Sequence, residues 1–325
     1  MDPDEPKDKR VGAATKRVAS YRAHQEAMRQ AYRQARWAAW LALWVNLGLA
    51  ISKLVAGLLG GSLALVSDAV NSFGDLITTS GVLLGMRISA WPATEKHPYG
   101  FSRVEAVIGL YLAMALAGAG VWIGREGFGY LRSPQPAPEW YTLIVAGAVV
   151  VIKESLYQYK MRVARRLASQ SLQAAAWDHR SDAIASLAVL SGIGLSRWGY
   201  WWGDGVATLV VAGTIVWAGI SLMHGCIAEL LDRQADVGFL QDVRDAAHLV
   251  HGVAAIDKLF VRKAGLEYLV DVHVQVDPDL NVRQAHELAH EVQEAIQHAM
   301  PHIHSILVHI EPHDGRTESS GLRTE

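Results

Sequence analysis

Residues 61–75 read GSLALVSDAVNSFGD, an apolar run interrupted by Asp68, Asn71 and Asp75. On a helix Asn71 and Asp75 stand one turn apart on a single face, with Asp68 a turn earlier on nearly the same face. Residues 177–183, WDHRSDA, repeat the geometry with Asp178 and Asp182. Both stretches lie inside segments that, at 1.5 Å of rise per residue, can cross a hydrocarbon core about 30 Å thick. An ionisable group at that depth is costly enough to require a partner, a water-filled cavity or a function. These two stretches therefore predict a helical membrane bundle with acids in its interior.

Working outward, six segments have the length of a span: near 37–58, 62–88, 104–130, 139–161, 170–196 and 205–230. Breakers separate them at Gly60-Gly61, Pro92, the Pro134 to Pro138 stretch and Gly203-Asp204-Gly205. The first segment follows a charged leader of more than thirty residues and lacks a small-residue cleavage signature, so it reads as a retained span. Basic residues mark the cytoplasmic side: Lys7, Lys9, Arg10, Lys16, Arg17, Arg22, Arg29, Arg33 and Arg36 in the leader, and Lys160, Arg162, Arg165 and Arg166 in the expected loop after helix 4. The opposite connections offer little beyond Arg132 and Arg197. An even number of spans then places both termini in the cytoplasm, in a multi-pass protein of the cell (inner) membrane.

The whole-chain figures agree. Of 325 residues 51% are hydrophobic and 19% charged, with a formal net charge of −2 and a mean hydropathy of +0.14. This composition excludes a disordered chain or a nucleic-acid-coating protein. The single cysteine, Cys226, rules out an intrachain disulfide framework and a cysteine-cluster zinc site. No GxxxxGK[ST] or HExxH sequence is present, so neither nucleotide-driven pumping nor a metallohydrolase is indicated, and the chain reads as a non-enzyme.

If the acidic faces of helices 2 and 5 meet, Asn71, Asp75, Asp178 and Asp182 bring four oxygen-bearing side chains together, three of them carboxylates. A divalent cation offsets their mutual repulsion and is the natural occupant. The alternative without a metal pairs the acids with Arg180 or Lys53, or has them cap broken helices. His179 points about 100° away from Asp178 on a helix, which suits a supporting role better than ligation. Asn46, Lys53 and Glu154 are accounted for by helix–helix hydrogen bonds and snorkelling.

From Asp232 the pattern changes to that of a soluble domain: helix (238–250), strand (256–263), strand (267–276), helix (282–299), strand (304–311). Val270, Val272, Val274 and Val276 alternate with Asp271, His273 and Gln275, the period of a half-buried strand. Histidine is concentrated here, and His286 with His290 reads as a solvated helix face. The expected organisation is a basic leader (1–36), an all-α six-span transmembrane transport domain (37–231), a small α+β cytoplasmic domain of order αββαβ (232–313) and a disordered tail (314–325).

Three pieces of sequence carry a resemblance to a known family: GSLALVSDA at residues 61–69, HPYG at 97–100 followed by Arg103 and Glu105, and residues 177–183. Over about residues 37–312 the chain resembles the cation diffusion facilitators, divalent-metal/proton antiporters. The resemblance implies transport through Asn71, Asp75, Asp178 and Asp182, a metallochaperone-like, ferredoxin-like cytoplasmic domain that dimerises, and a homodimer in the bilayer with metal ions and protons as partners and no cofactor beyond the cargo. Zinc-transporting members often carry histidine where this chain has Asn71 or Asp178. The harder oxygen-only set suits Mn2+ best, with Fe2+ or Zn2+ as alternatives.

The family's loop site, DxxHxxxH, reads Thr94, His97 and Phe101 here, which predicts that it is absent or very weak. In the tail, His273, His309 and Glu311 match the family's cytoplasmic ligands, while Ile256 replaces a histidine for which His248 or His251 is a candidate substitute. The rival function is a non-transporting, membrane-anchored metal sensor or assembly scaffold.

Overall fold

The computed structural model describes residues 43–89, 91–166, 170–265, 267–300 and 303–313. The leader (1–36) and tail (314–325) lie outside them, as does the start of the first span. The elements run α1 (Leu43–Gly60), α2 (Leu63–Ser89), α3 (Val104–Tyr130), α4 (Trp140–Arg166), α5 (Gln170–Arg197), α6 (Gly203–Leu230), α7 (Val237–His248), β1 (Val253–Ala264), β2 (Glu267–Val276), α8 (Val282–Ala299) and β3 (Ile303–Pro312).

Four of the long helices, α1, α3, α4 and α6, are apolar enough to cross a membrane on length and composition. The remaining two, α2 and α5, have 27 and 28 residues and therefore the length, but the acids and other polar residues along them lower their apolarity. The helix 4 boundary differs from the sequence reading. Helix α4 continues to Arg166, so Lys160, Arg162 and Arg165 project from its last turns and not from a loop. No breaker follows Met161, and Arg, Val and Ala are all compatible with continued helix.

The described chain forms two compact units, one from the residues up to Leu76 with Gly118–Val216, the other from Ile77–Ala117 with the residues from Trp217 onward. In the first, Gly61 takes φ +69°, a left-handed turn open to glycine. Ser62 then caps α2. Its Oγ accepts from Leu65 N at 3.1 Å and donates to Asp204 Oδ1 at 2.6 Å, while Asp204 Oδ2 accepts from Leu63 N at 2.8 Å and Ala64 N at 3.2 Å. Three amides that the first helical turn leaves without intrahelical partners are thus satisfied, and a carboxylate sits at the positive end of the helix dipole.

In the second unit β1, β2 and β3 form one sheet in that order, β1 antiparallel to β2 and β2 parallel to β3. The parallel pair requires a crossover, which α8 supplies. Its start is fixed by a reciprocal capping box between Asn281 and Gln284. The alternation in β2 holds: Val270, Val272, Val274 and Val276 are buried against Val243, Leu288, Val292 and Ile296 of α7 and α8. Ile256 also belongs to this core, which explains an aliphatic residue where the family pattern has histidine.

Candidate metal centre

Helix α2 carries Asp68, Asn71 and Asp75, and α5 carries Asp178, Asp182 and Ser186, each set at one-turn spacing. The two stripes are joined directly: Ser186 Oγ donates to Asp68 Oδ2 at 2.9 Å. Asp75 lies within electrostatic range of Asp182 and Asp178, and of Lys53 and Lys153. Asn71 and Asp182 are half-buried, Asp75 and Asp178 exposed. The carboxylates Asp75, Asp178 and Asp182 are thus within electrostatic range of one another, and Asn71 stands one turn before Asp75 on α2.

The acids divide by what neutralises them. Asp68 is buried and bonded to Lys53, whose fully buried ammonium lies 3.1 Å from Asp68 Oδ2 and donates to Asp68 O at 2.9 Å and Ser72 Oγ at 2.6 Å. The ion-pair reading thus holds for this acid. Among the described residues Arg180 meets aromatic side chains and no carboxylate. Its guanidinium donates to Tyr157 Oη at 3.0 Å and lies over the Tyr157 and Trp177 rings, 4.9 and 5.4 Å from their centroids. Lys153 of α4, absent from the sequence reading, is buried with its Nζ 2.8 Å from Asp182 Oδ2. A lysine inside the apolar run Val149-Val-Val-Ile-Lys153 is a signal that could have marked it. His179 is buried, and among the described residues its Nδ1 has no hydrogen-bond partner.

In the tail, the parallel register sets His273 opposite His309 and Gln275 opposite Glu311. His273 Nδ1 lies 2.6 Å and His309 Nε2 3.6 Å from Glu311 Oε1, and the two imidazoles are 4.8 Å apart between centroids. Among the described residues, these three are the one group of three or more His, Cys, Asp or Glu whose ligand atoms all lie within 4.8 Å of one another. Asp75, Asp178 and Asp182 are not drawn together to that degree. His248 and His251 are exposed and stand outside the tail group. In the loop before α3, His97 pairs through its backbone with Thr94 and lays its ring on Phe101, 4.7 Å between centroids; this is turn structure. His286 and His290 lie exposed on α8, their Nε2 atoms 3.2 Å apart.

Comparison with known proteins gives these arrangements a family. The cation efflux transmembrane domain matches residues 39–231, and the cation efflux cytoplasmic domain matches 237–313. The chain belongs to the cation efflux family, the cation diffusion facilitators. Among its relatives are metal tolerance protein C1 of Arabidopsis thaliana, 32% identical over 83% of this chain and 63% of that protein, and the magnetosome protein MamB of Magnetospirillum gryphiswaldense, 29% identical over 79% and 86%. The manganese efflux system protein MneP of Bacillus subtilis is 29% identical over 79% of this chain and 89% of its own length. This chain thus spans less than two thirds of the Arabidopsis relative. As a cation efflux protein with long apolar helices, it is an integral membrane protein.

Proposed function

We propose that the chain is a secondary transporter that exports a divalent cation from the cytoplasm in exchange for protons, through Asn71, Asp75, Asp178 and Asp182. The observation that carries this reading is the α2–α5 pairing through Asp68 and Ser186, which puts Asp75, Asp178 and Asp182 in electrostatic range of one another with Lys153 bonded to Asp182. With those acids ionised, three negative charges and one ammonium leave a balance that one divalent cation complements. Cation and protons compete for the same oxygens, so metal binding releases protons and proton binding releases metal.

An all-oxygen donor set favours Mn2+ over softer, nitrogen-seeking ions, with Fe2+ or Zn2+ as secondary cargo. A manganese efflux protein among the relatives supports that choice. In this reading α2 and α5 also cross the bilayer, giving six spans with both termini in the cytoplasm of a cell-membrane homodimer. The tail dimerises, and His273, His309 and Glu311 hold a regulatory metal ion.

The test is metal flux in proteoliposomes under an imposed pH gradient. Asp75→Ala and Asp178→Ala should each abolish proton-driven Mn2+ flux in an inserted protein, because each removes a charged ligand. Asp178→His should shift preference toward Zn2+, since imidazole replaces a hard anionic oxygen. Wild-type flux in Asp178→Ala would sink the site. The tight tail triad favours a second reading, a membrane-anchored sensor or assembly scaffold. A wild-type protein that moves no metal yet dimerises on binding it would establish that reading.

A further inference from the structure

Two lysines are fully enclosed in the same unit, and their surroundings differ in a way that assigns them different work. Lys53 is locked: its ammonium meets a carboxylate oxygen, a carbonyl and a hydroxyl, all within 3.1 Å, and its partner Asp68 receives a further bond from Ser186. Both side chains are sealed, at 0% and 2% exposure. Lys153 is also sealed, at 2%, but among the described residues its ammonium rests on Asp182 alone, and the Asp182 side chain remains 22% exposed. One Asp182 oxygen is thus covered by a cation from inside the protein while the carboxylate stays open to a cation from outside.

We propose that Lys153 is a tethered competitor for the cargo, a resident cation that occupies Asp182 between transport events, yields it to the arriving metal ion and reclaims it on release. This rests on the transport-site reading above. The physical case is charge. A carboxylate in a low-dielectric site without a counter-ion is strongly disfavoured, and a site of three such groups with no internal cation would hold a divalent ion too tightly to let it go. A transport site must bind firmly enough to load and loosely enough to unload. The ammonium lowers affinity by giving the unloaded site a counter-ion. Its buried stem keeps it within reach, so the exchange needs no solvated intermediate at Asp182. Lys53, with its acid already shared among α1, α2 and α5, has no comparable exchange open to it.

The competitor role predicts opposite signs for two substitutions. In the full-length protein carrying His309→Ala, which removes a tail ligand, Lys153→Met should tighten Mn2+ binding by about tenfold or more, since the rival charge is gone. In flux measurements on proteoliposomes the same change should lower both KM and the maximal rate, because release slows. Lys153→Arg keeps the charge and can grip a carboxylate through two parallel N–H···O bonds, so it should bind Mn2+ more weakly than the parent. Calorimetry on the detergent-solubilised protein reads the affinities, and a purely structural lysine would not move them in opposite directions. Unchanged or weaker Mn2+ binding in Lys153→Met overturns the proposal. Where Lys153→Met fails to insert, Lys153→Arg decides, and binding as tight as the parent's or tighter overturns it. Loss of flux in Asp178→Ala beside an unaltered Lys153→Met affinity would defeat the competitor and leave the transport site standing; survival of flux in Asp178→Ala would defeat both.

Discussion

Asp68 and Asp182 have the same side chain, lie on neighbouring helices, and each faces a lysine, yet only one of the two carboxylates is sealed: Asp68 is 2% exposed and Asp182 22%. The Lys53–Asp68 pair is part of the scaffold. Removing one member leaves a buried charge unmatched, which costs about 3–5 kcal/mol, whereas replacing both with apolar residues of similar volume costs far less. Lys53→Met should therefore lower the thermal midpoint of the solubilised protein markedly, and Lys53→Met with Asp68→Leu should recover most of that loss. Thermal unfolding of the micellar protein checks this. Spacing along a sequence reveals which side chains share a face of one helix, so Asn71 with Asp75 and Asp178 with Asp182 were legible. It does not reveal which helix lies opposite. Lys153 escaped notice for that reason, because its significance comes from α4 packing along α5.

At the level of single elements, helix boundaries and strand alternation were legible because both depend on neighbours in the chain, such as Gly60-Gly61 before α2 or the valines of β2. Strand β1, Val253–Ala264, extends beyond the 256–263 that the sequence predicts. Its pairing with β2 is irregular between Val253 and Ala255 and between Ile256 and Leu259, and such irregularities break the two-residue period by which a strand is recognised. Capping of α2 is shared between Ser62, beside the Gly60-Gly61 breaker, and Asp204, which arrives from the start of α6. The two contributions should separate on mutation. Ser62→Ala removes a cap worth about 1 kcal/mol. Asp204→Ala strands the Leu63 and Ala64 amides, at about 1–3 kcal/mol for each buried donor. Hydrogen exchange at residues 63–65 should accelerate far more in Asp204→Ala; equal acceleration in both would show that the carboxylate adds nothing to the hydroxyl.

For the whole molecule, the tail group offers a test of regulation. The His273–His309–Glu311 triad spans two strands of the sheet. If a metal held there favours one access state of the transporter, the two states must bind it unequally. His309→Ala should then shift the metal concentration at which transport is half-activated while leaving flux measurable, because the acids of α2 and α5 are untouched. Flux titrated against Mn2+ in proteoliposomes reads this, and a superimposable titration would reduce the triad to an ordinary polar sheet face.

The Asp204 contacts also set an order of events during synthesis. The carboxylate lies 140 to 142 residues downstream of the groups it receives, while Lys53 finds Asp68 only 15 residues away. The pair between the first two helices can close as soon as both have been made. The opening turn of α2 must wait for the start of α6, the last of the long helices to leave the ribosome. A chain stopped after α5 would keep its inner ion pair and lack the final anchor of the helix that carries Asn71 and Asp75, so the face of α2 that bears these two residues is completed only when the membrane part of the chain is nearly whole.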